Sequence, residues 1–243
     1  MNIIPTAKEM SSYLASLSNI LCEKELISPE SKSYFDRVSV KLIKLGSSRS
    51  WKYTIEPSAP IKFVPAPDKK LGQIVPQVYL DVAVAPPKRN DLPPFEGLGA
   101  KIEIFDLKGN LQSRWHIDLA NQKEGGSYQD GPLFHLQSGG HKPQANRKEE
   151  LKISRPRWAM PPMELILTCE MILANFYPEK WEIIRTEKRW LKLIHIAQYM
   201  CYSAYYQRIH DCLFKPQPLT PKQQAESVLT TLWASEWLCI TDN

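Results

Sequence analysis

"AKIEIFDLKGNLQSRWHIDL", residues 100–119, holds the plainest structural signal in the chain. Two runs alternate apolar and polar residues on either side of "DLKGN", with Gly109-Asn110 near the centre. Period-two alternation marks half-buried strands, and a Gly-containing break between two such runs marks a hairpin. On the second run Trp115, Ile117 and Leu119 face one way, and Arg114, His116 and Asp118 face the other. After the Gly-rich "GGSYQDG", "PLFHLQS" alternates again. Phe134 and Leu136 share one side, and His135 and Gln137 share the other. "SGGH" then breaks the run, and its double glycine suits a turn that needs positive φ.

Outward from the hairpin, residues 6–27 predict a helix, with Thr6 and Glu9 forming a capping box and Met10, Tyr13, Leu14, Leu17, Ile20 and Leu21 on one face. "SPESKSYF" is expected to end or bend that helix. "VSVKLIKLG", residues 38–46, alternates and reads as a strand, followed by "WKYTIEP". Nine of the twenty prolines fall between residues 57 and 94. Proline donates no ladder hydrogen bond, so that segment predicts short strands, "IKFVP" and "QVYLDVAV", joined by extended loops rather than a long central strand. From Pro161 the pattern turns helical. "PPMELILTCEMILANFY" is apolar nearly all round, with Glu164, Thr168 and Asn175 on a narrow polar stripe. "PEKW" separates it from a second helix over 186–213. "TPKQQAESVLTTLWASEWLCI" reads as a last helix with Thr220 as cap and Pro221 at its first position. The order predicts an α+β fold: an N-terminal helix, an antiparallel meander and three C-terminal helices packed on the sheet. Residues 1–243 read as one domain, with helix and sheet over 1–160 and helices over 161–243.

Composition narrows the function. At 43% apolar and 23% charged residues the chain has the makings of a core. "MNIIPTAKEM" lacks the basic and apolar regions of a signal peptide, and "MELILTCEMILANF" is interrupted by Glu164 and Glu170 and too short to span a bilayer. The five cysteines, at 22, 169, 201, 212 and 239, form no CxxC pair and read as reduced, buried thiols. These features place the protein in the cytoplasm, away from membranes. The net charge of +5 is concentrated in residues 142–157, where Lys142, Arg147, Lys148, Lys152, Arg155 and Arg157 stand against Glu149 and Glu150. Such a segment is a solvated loop or an anion or nucleic-acid contact. A non-specific DNA binder usually carries a larger basic excess.

Three of the five histidines fall within 26 residues, at 116, 135 and 141. If the two strands that carry them are neighbours, His116, Asp118, His135 and Gln137 converge, with Arg114 at the edge. That set suits acid–base work or phosphate contact, and equally the polar face of an ordinary half-exposed sheet. No metal-ligand spacing and no cofactor fingerprint is present, nor GxSxG, a Walker A sequence, GxGxxG or HExxH.

"RWAMPPMELILTCEMILANFYPEKW", residues 157–181, resembles the part of ubiquitin-conjugating E2-like folds where a Trp-x-x-Pro entry leads into the second helix. "FHLQSGGH" occupies the place of that family's His-Pro-Asn strand and turn. His135 is followed here by Leu136 and Gln137, not Pro-Asn. The family's catalytic cysteine would belong between residues 140 and 158, which hold none. The resemblance therefore implies a cysteine-less, E2-like binding module.

Three functions are consistent with these residues. The first is a non-enzymatic interaction module, an accessory subunit of a larger intracellular protein or nucleoprotein assembly, whose partner engages Arg114, Gln137, His141 and the basic residues of the loop. The second is a hydrolase or nuclease using His116, Asp118 and His135, with Arg155 or Arg157 on a phosphate. The third is a nucleic-acid-binding component using the loop. The partner implied first is a protein, with nucleic acid as a further candidate.

Overall fold

A computed structural model describes residues 4–88, 92–121, 128–139, 157–214 and 230–238. Two helices come first, α1 (Ala7–Glu23) and α2 (Pro29–Ile43). Eight strands follow: β1 (Trp51–Ile55), β2 (Ile61–Lys62), β3 (Ala66–Asp68), β4 (Gly72–Val84), β5 (Phe95–Asp106), β6 (Leu111–Leu119), β7 (Phe134–Ser138) and β8 (Trp158–Ala159). The described helices after the sheet are α3 (Leu165–Phe176), α4 (Pro178–Ile184), α5 (Lys188–Phe214) and α6 (Ala234–Leu238). The fold is α+β, as the order of patterns predicts.

α1 begins as expected: the Thr6 hydroxyl accepts from the Glu9 amide at 3.2 Å, and the Glu9 carboxylate accepts from the Thr6 amide at 2.7 Å. The next segment corrects the sequence reading. "SPESKSYF" starts a second helix, with Ser28 as cap and Pro29 at its first position, and the strand expected over 38–46 is the end of α2. Phe35, Val38, Ser39 and Leu42 are buried at helical spacing, while Val40, which completes the apparent alternation, is 53% exposed.

The sheet is antiparallel throughout, in the order β1-β4-β5-β6-β7-β8, with β2 and β3 also on β4. The proline-rich segment contains its longest strand. β4 runs 13 residues between β5 and the short strands β1, β2 and β3. Pro76 is tolerated because it lies opposite the gap between β2, paired at Gln77–Val78, and β3, paired at Gly72–Ile74. The β5–β6 hairpin turns at Gly109, whose φ of +81° no other residue type adopts so cheaply.

One face of the sheet and the helices enclose the core. Tyr53, Leu80, Val82, Ala100, Ile102 and Ile117 come from the sheet, and Leu14, Leu17, Phe35, Ile172 and Trp190 from the helices. Trp115 stacks on Phe176 of α3 with ring centroids 6.3 Å apart. Two polar groups expected on a stripe of α3 are fully buried instead: Glu164 caps the helix, its carboxylate accepting from the amides of Ile166 and Leu167, and Thr168 lies one turn on. "PEKW" is α4 rather than a break. Thr220, Pro221 and most of the last expected helix lie outside the described residues. Of the described cysteines, Cys169 and Cys201 are buried, and Cys22 and Cys212 are partly exposed.

Candidate functional site: a cleft on the polar sheet face

The face turned away from the core carries the polar residues of β4 to β7, and strand register decides who meets whom. Asp118 on β6 lies between Gly99 on β5 and His135 on β7, with Asp81 of β4 across from Gly99. One step along, Tyr79, Lys101, His116 and Gln137 form the next row. His116, Asp118, His135 and Gln137 therefore share one face on adjacent strands, as the alternation predicts for paired strands.

The following row is closed on itself. Arg114 Nε donates to Glu103 Oε1 at 2.5 Å, and the Tyr79 hydroxyl donates to Glu103 Oε2 at 2.6 Å. Burial, and after it the Glu103 carboxylate, raises the Tyr79 phenol well above its usual value. Glu103 is itself buried. Arg114 is thus committed to a structural ion pair and is not a free binding group. Of the expected basic-loop and glycine-turn residues, Arg157 is described, whereas His141, Lys142, Arg147, Lys148, Lys152 and Arg155 lie outside the described residues. Arg157 Nη1 donates to the carbonyl of Asp130 at 2.9 Å.

Burial sets the protonation of the three central groups. It lowers His116 to about 4, helped by Lys101 and Arg114, and lowers His135 to about 4, helped by Arg157. It raises Asp118 to about 6 against the pull of Lys101 and Arg157. Both rings are therefore neutral near pH 7, and their tautomers follow from their partners. His135 bonds the backbone of Pro132, which has no N–H, so the carbonyl accepts. Nδ1 is buried without a partner, so Nε2–H is the donor and Nδ1 holds the lone pair. His116 bonds the backbone of Gly139, whose amide already donates to Arg114. The Gly139 carbonyl thus takes the proton of His116 Nδ1, and Nε2, also buried and unpartnered, holds the lone pair. His116 Nδ1 is 3.7 Å from Asp118 Oδ2, too far for a hydrogen bond.

A cleft of about 880 Å³ opens beside this cluster. Its polar side holds Asp81, Lys101, His116 and Asp118. Its other wall is apolar, with Pro86, Pro87, Pro93, Pro94, Phe95 and Tyr128 among its described residues. Gly97 and Gly99 line it from β5. Neither glycine has a positive φ. A Cβ on Gly99 would meet Asp118 Oδ1 at 3.5 Å, and one on Gly97 would meet Ala83 Cβ at 3.5 Å, both ordinary contacts. A Cβ would fit at either position, and its absence leaves the cleft deeper there. Sequence reading missed Asp81, Gly97, Gly99 and Lys101. The turn alone does not place Lys101: a hairpin centred on "DLKGN" pairs it with Trp115, and the register shift between Ile104 and Phe105 moves its partner to His116.

Chemically, the described lining offers carboxylates and an ammonium beside an apolar wall, with the free imidazole nitrogens of His116 and His135 buried beneath it. No Ser, Thr or Cys is among its described lining residues. No group of three or more His, Cys, Asp or Glu side chains among the described residues is arranged to hold a metal ion. No described helix is long and apolar enough to cross a membrane. No family model, curated protein or solved structure matches the chain.

Proposed function

We propose that the chain is a non-enzymatic interaction module, an accessory subunit of a larger intracellular assembly, which takes an extended segment of a partner protein into the cleft on its polar sheet face. The observation that carries this reading is the paired glycine floor. Both lie where the cleft runs: Gly97 stands at the irregularity between Ala83 and Val84, where pairing with β4 shifts, and Gly99 weakens a regularly paired stretch whose φ does not call for glycine. A proline and aromatic wall opposite strand-borne polar groups is the make-up of a surface that holds a peptide by shape and orients it by a few hydrogen bonds. The helix–meander–helix order is compatible with a cysteine-less E2-like module, and we keep that relationship as part of the proposal.

A second reading rests on the adjacency of His116, Asp118, His135 and Arg157, the set that acid–base cleavage of a phosphate ester would use. Against it, both imidazoles take up a proton only far below neutral pH, and their free nitrogens are buried. Selection of a displayed random peptide library on the wild-type protein, with counter-selection on Gly99→Val, tests the binding reading. It expects a family of sequences that the variant does not retain. Selected peptides that bind both proteins equally, or no selected peptides at all, overturn it.

A further inference from the structure

The Asp118 side chain is 30% exposed, and no hydrogen-bond donor reaches it among the described residues: His116 Nδ1 is 3.7 Å away and donates elsewhere. Lys101 and Arg157 act on it only through space, and Arg157 spends Nη1 on Asp130. A carboxylate in partial burial ordinarily accepts several hydrogen bonds. His135, 3% exposed and directly across from Asp118, has a buried Nδ1 without a partner, and His116 has one at Nε2, so neither imidazole donates to Asp118. Against these acceptors stand one unpartnered buried donor, Arg157 Nε, and the ammonium of Lys101. Asp81, on the other side of Gly99, accepts a single bond from Thr54 at 2.8 Å. Among the described lining residues the charged side chains are Asp81, Glu96 and Asp118 with Lys88 and Lys101.

Resting on the cleft reading above, we infer that the space over Gly99, between Asp81 and Asp118, receives a basic group of the bound segment, a lysine ammonium or an arginine guanidinium. Such a group carries three to five N–H donors and a charge opposite to that of a partly buried carboxylate. Gly99 gives it room to sit between the two carboxylates, and the proline and aromatic wall accommodates its methylene stem. The cationic neighbours set the limits of the site: Lys101 from β5 competes for Asp118, and Arg157 lies on its β7 side.

The test uses the full chain and three probes, the N-acetyl methylamides of lysine, arginine and norleucine, followed through the amide signals of Gly97 and Gly99. The expected result is binding of lysine or arginine and none of norleucine, with affinity falling as pH drops through about 6 and Asp118 takes up a proton. Asp118→Asn weakens binding by about tenfold or more and removes the pH dependence. Lys101→Met strengthens binding. Equal binding of norleucine, tighter binding by Asp118→Asn, or no response of Gly97 and Gly99 to either basic probe overturns the inference. If library-selected peptides without Lys or Arg still occupy the cleft, the basic-group inference falls alone. If selection yields no peptide, the cleft reading falls with it.

Discussion

Replacing Glu164 by glutamine converts a buried cost into a measurable pH dependence. Glu164 is fully buried at the start of α3, and burial raises its carboxyl to about 7 despite the hydrogen bonds from Ile166 and Leu167. In the unfolded chain it titrates near 4.5. A folded value above the unfolded one means that the folded chain holds the proton more tightly. That contribution to stability is complete below pH 4.5 and is lost as pH rises through 7. At 1.36 kcal/mol per unit, the full effect is about 3 kcal/mol, of which roughly 2–3 kcal/mol falls between pH 5 and pH 8. The Glu164→Gln side chain keeps a carbonyl oxygen to accept from the two amides. Its NH2 turns toward the Tyr53 hydroxyl, which lies 3.4 Å from Glu164 Oε2 in the wild type. Urea denaturation of both proteins across this range isolates the one group, because every other titration is shared. Glu164→Gln is expected to gain on the wild type by roughly 2–3 kcal/mol from pH 5 to pH 8. Parallel stability curves would refute the reasoning.

Three further outcomes follow from the polar face. The imidazole signals of His116 and His135 should titrate near pH 4 by NMR, and because folding lowers both values their contribution to stability is present above 6.5 and lost as pH falls through 4. Arg114→Ala should cost about 3–5 kcal/mol in urea denaturation, because it leaves the Glu103 carboxylate buried with Tyr79 as its remaining hydrogen-bond partner. Gly99→Val should fold with a thermal midpoint at or above the wild type's, since the added Cβ makes only ordinary contact and valine suits a strand.

The hairpin was legible because two independent signals agree there: alternation gives the faces, and Gly109-Asn110 gives the turn. α2 was not, because Val38, Val40 and Leu42 alternate by chance within a helix whose buried set includes Phe35, Val38, Ser39 and Leu42. The cap and proline of Ser28-Pro29 are the sequence signal for this helix start. β4 was obscured by a true rule applied without the pairing: proline breaks a ladder, but Pro76 sits where the partner strand changes. At the site, each face was readable strand by strand. The adjacency of Asp118 and His135 was not, because 14 residues separate β6 from β7, too many for a two-residue hairpin turn to set the register. The glycine floor escaped notice for a related reason, since "EGLGAK" shows a missing side chain only once the strand on each side is known.

The most direct test of a peptide-binding cleft is the amide-shift footprint of a library-selected peptide on the full chain. The cleft account predicts perturbations at Gly97, Gly99, Lys101, His116 and Asp118 that vanish in Gly99→Val. A footprint confined instead to the exposed aromatic side of α5, at Tyr199 and Tyr206, and unchanged in the variant, would contradict it.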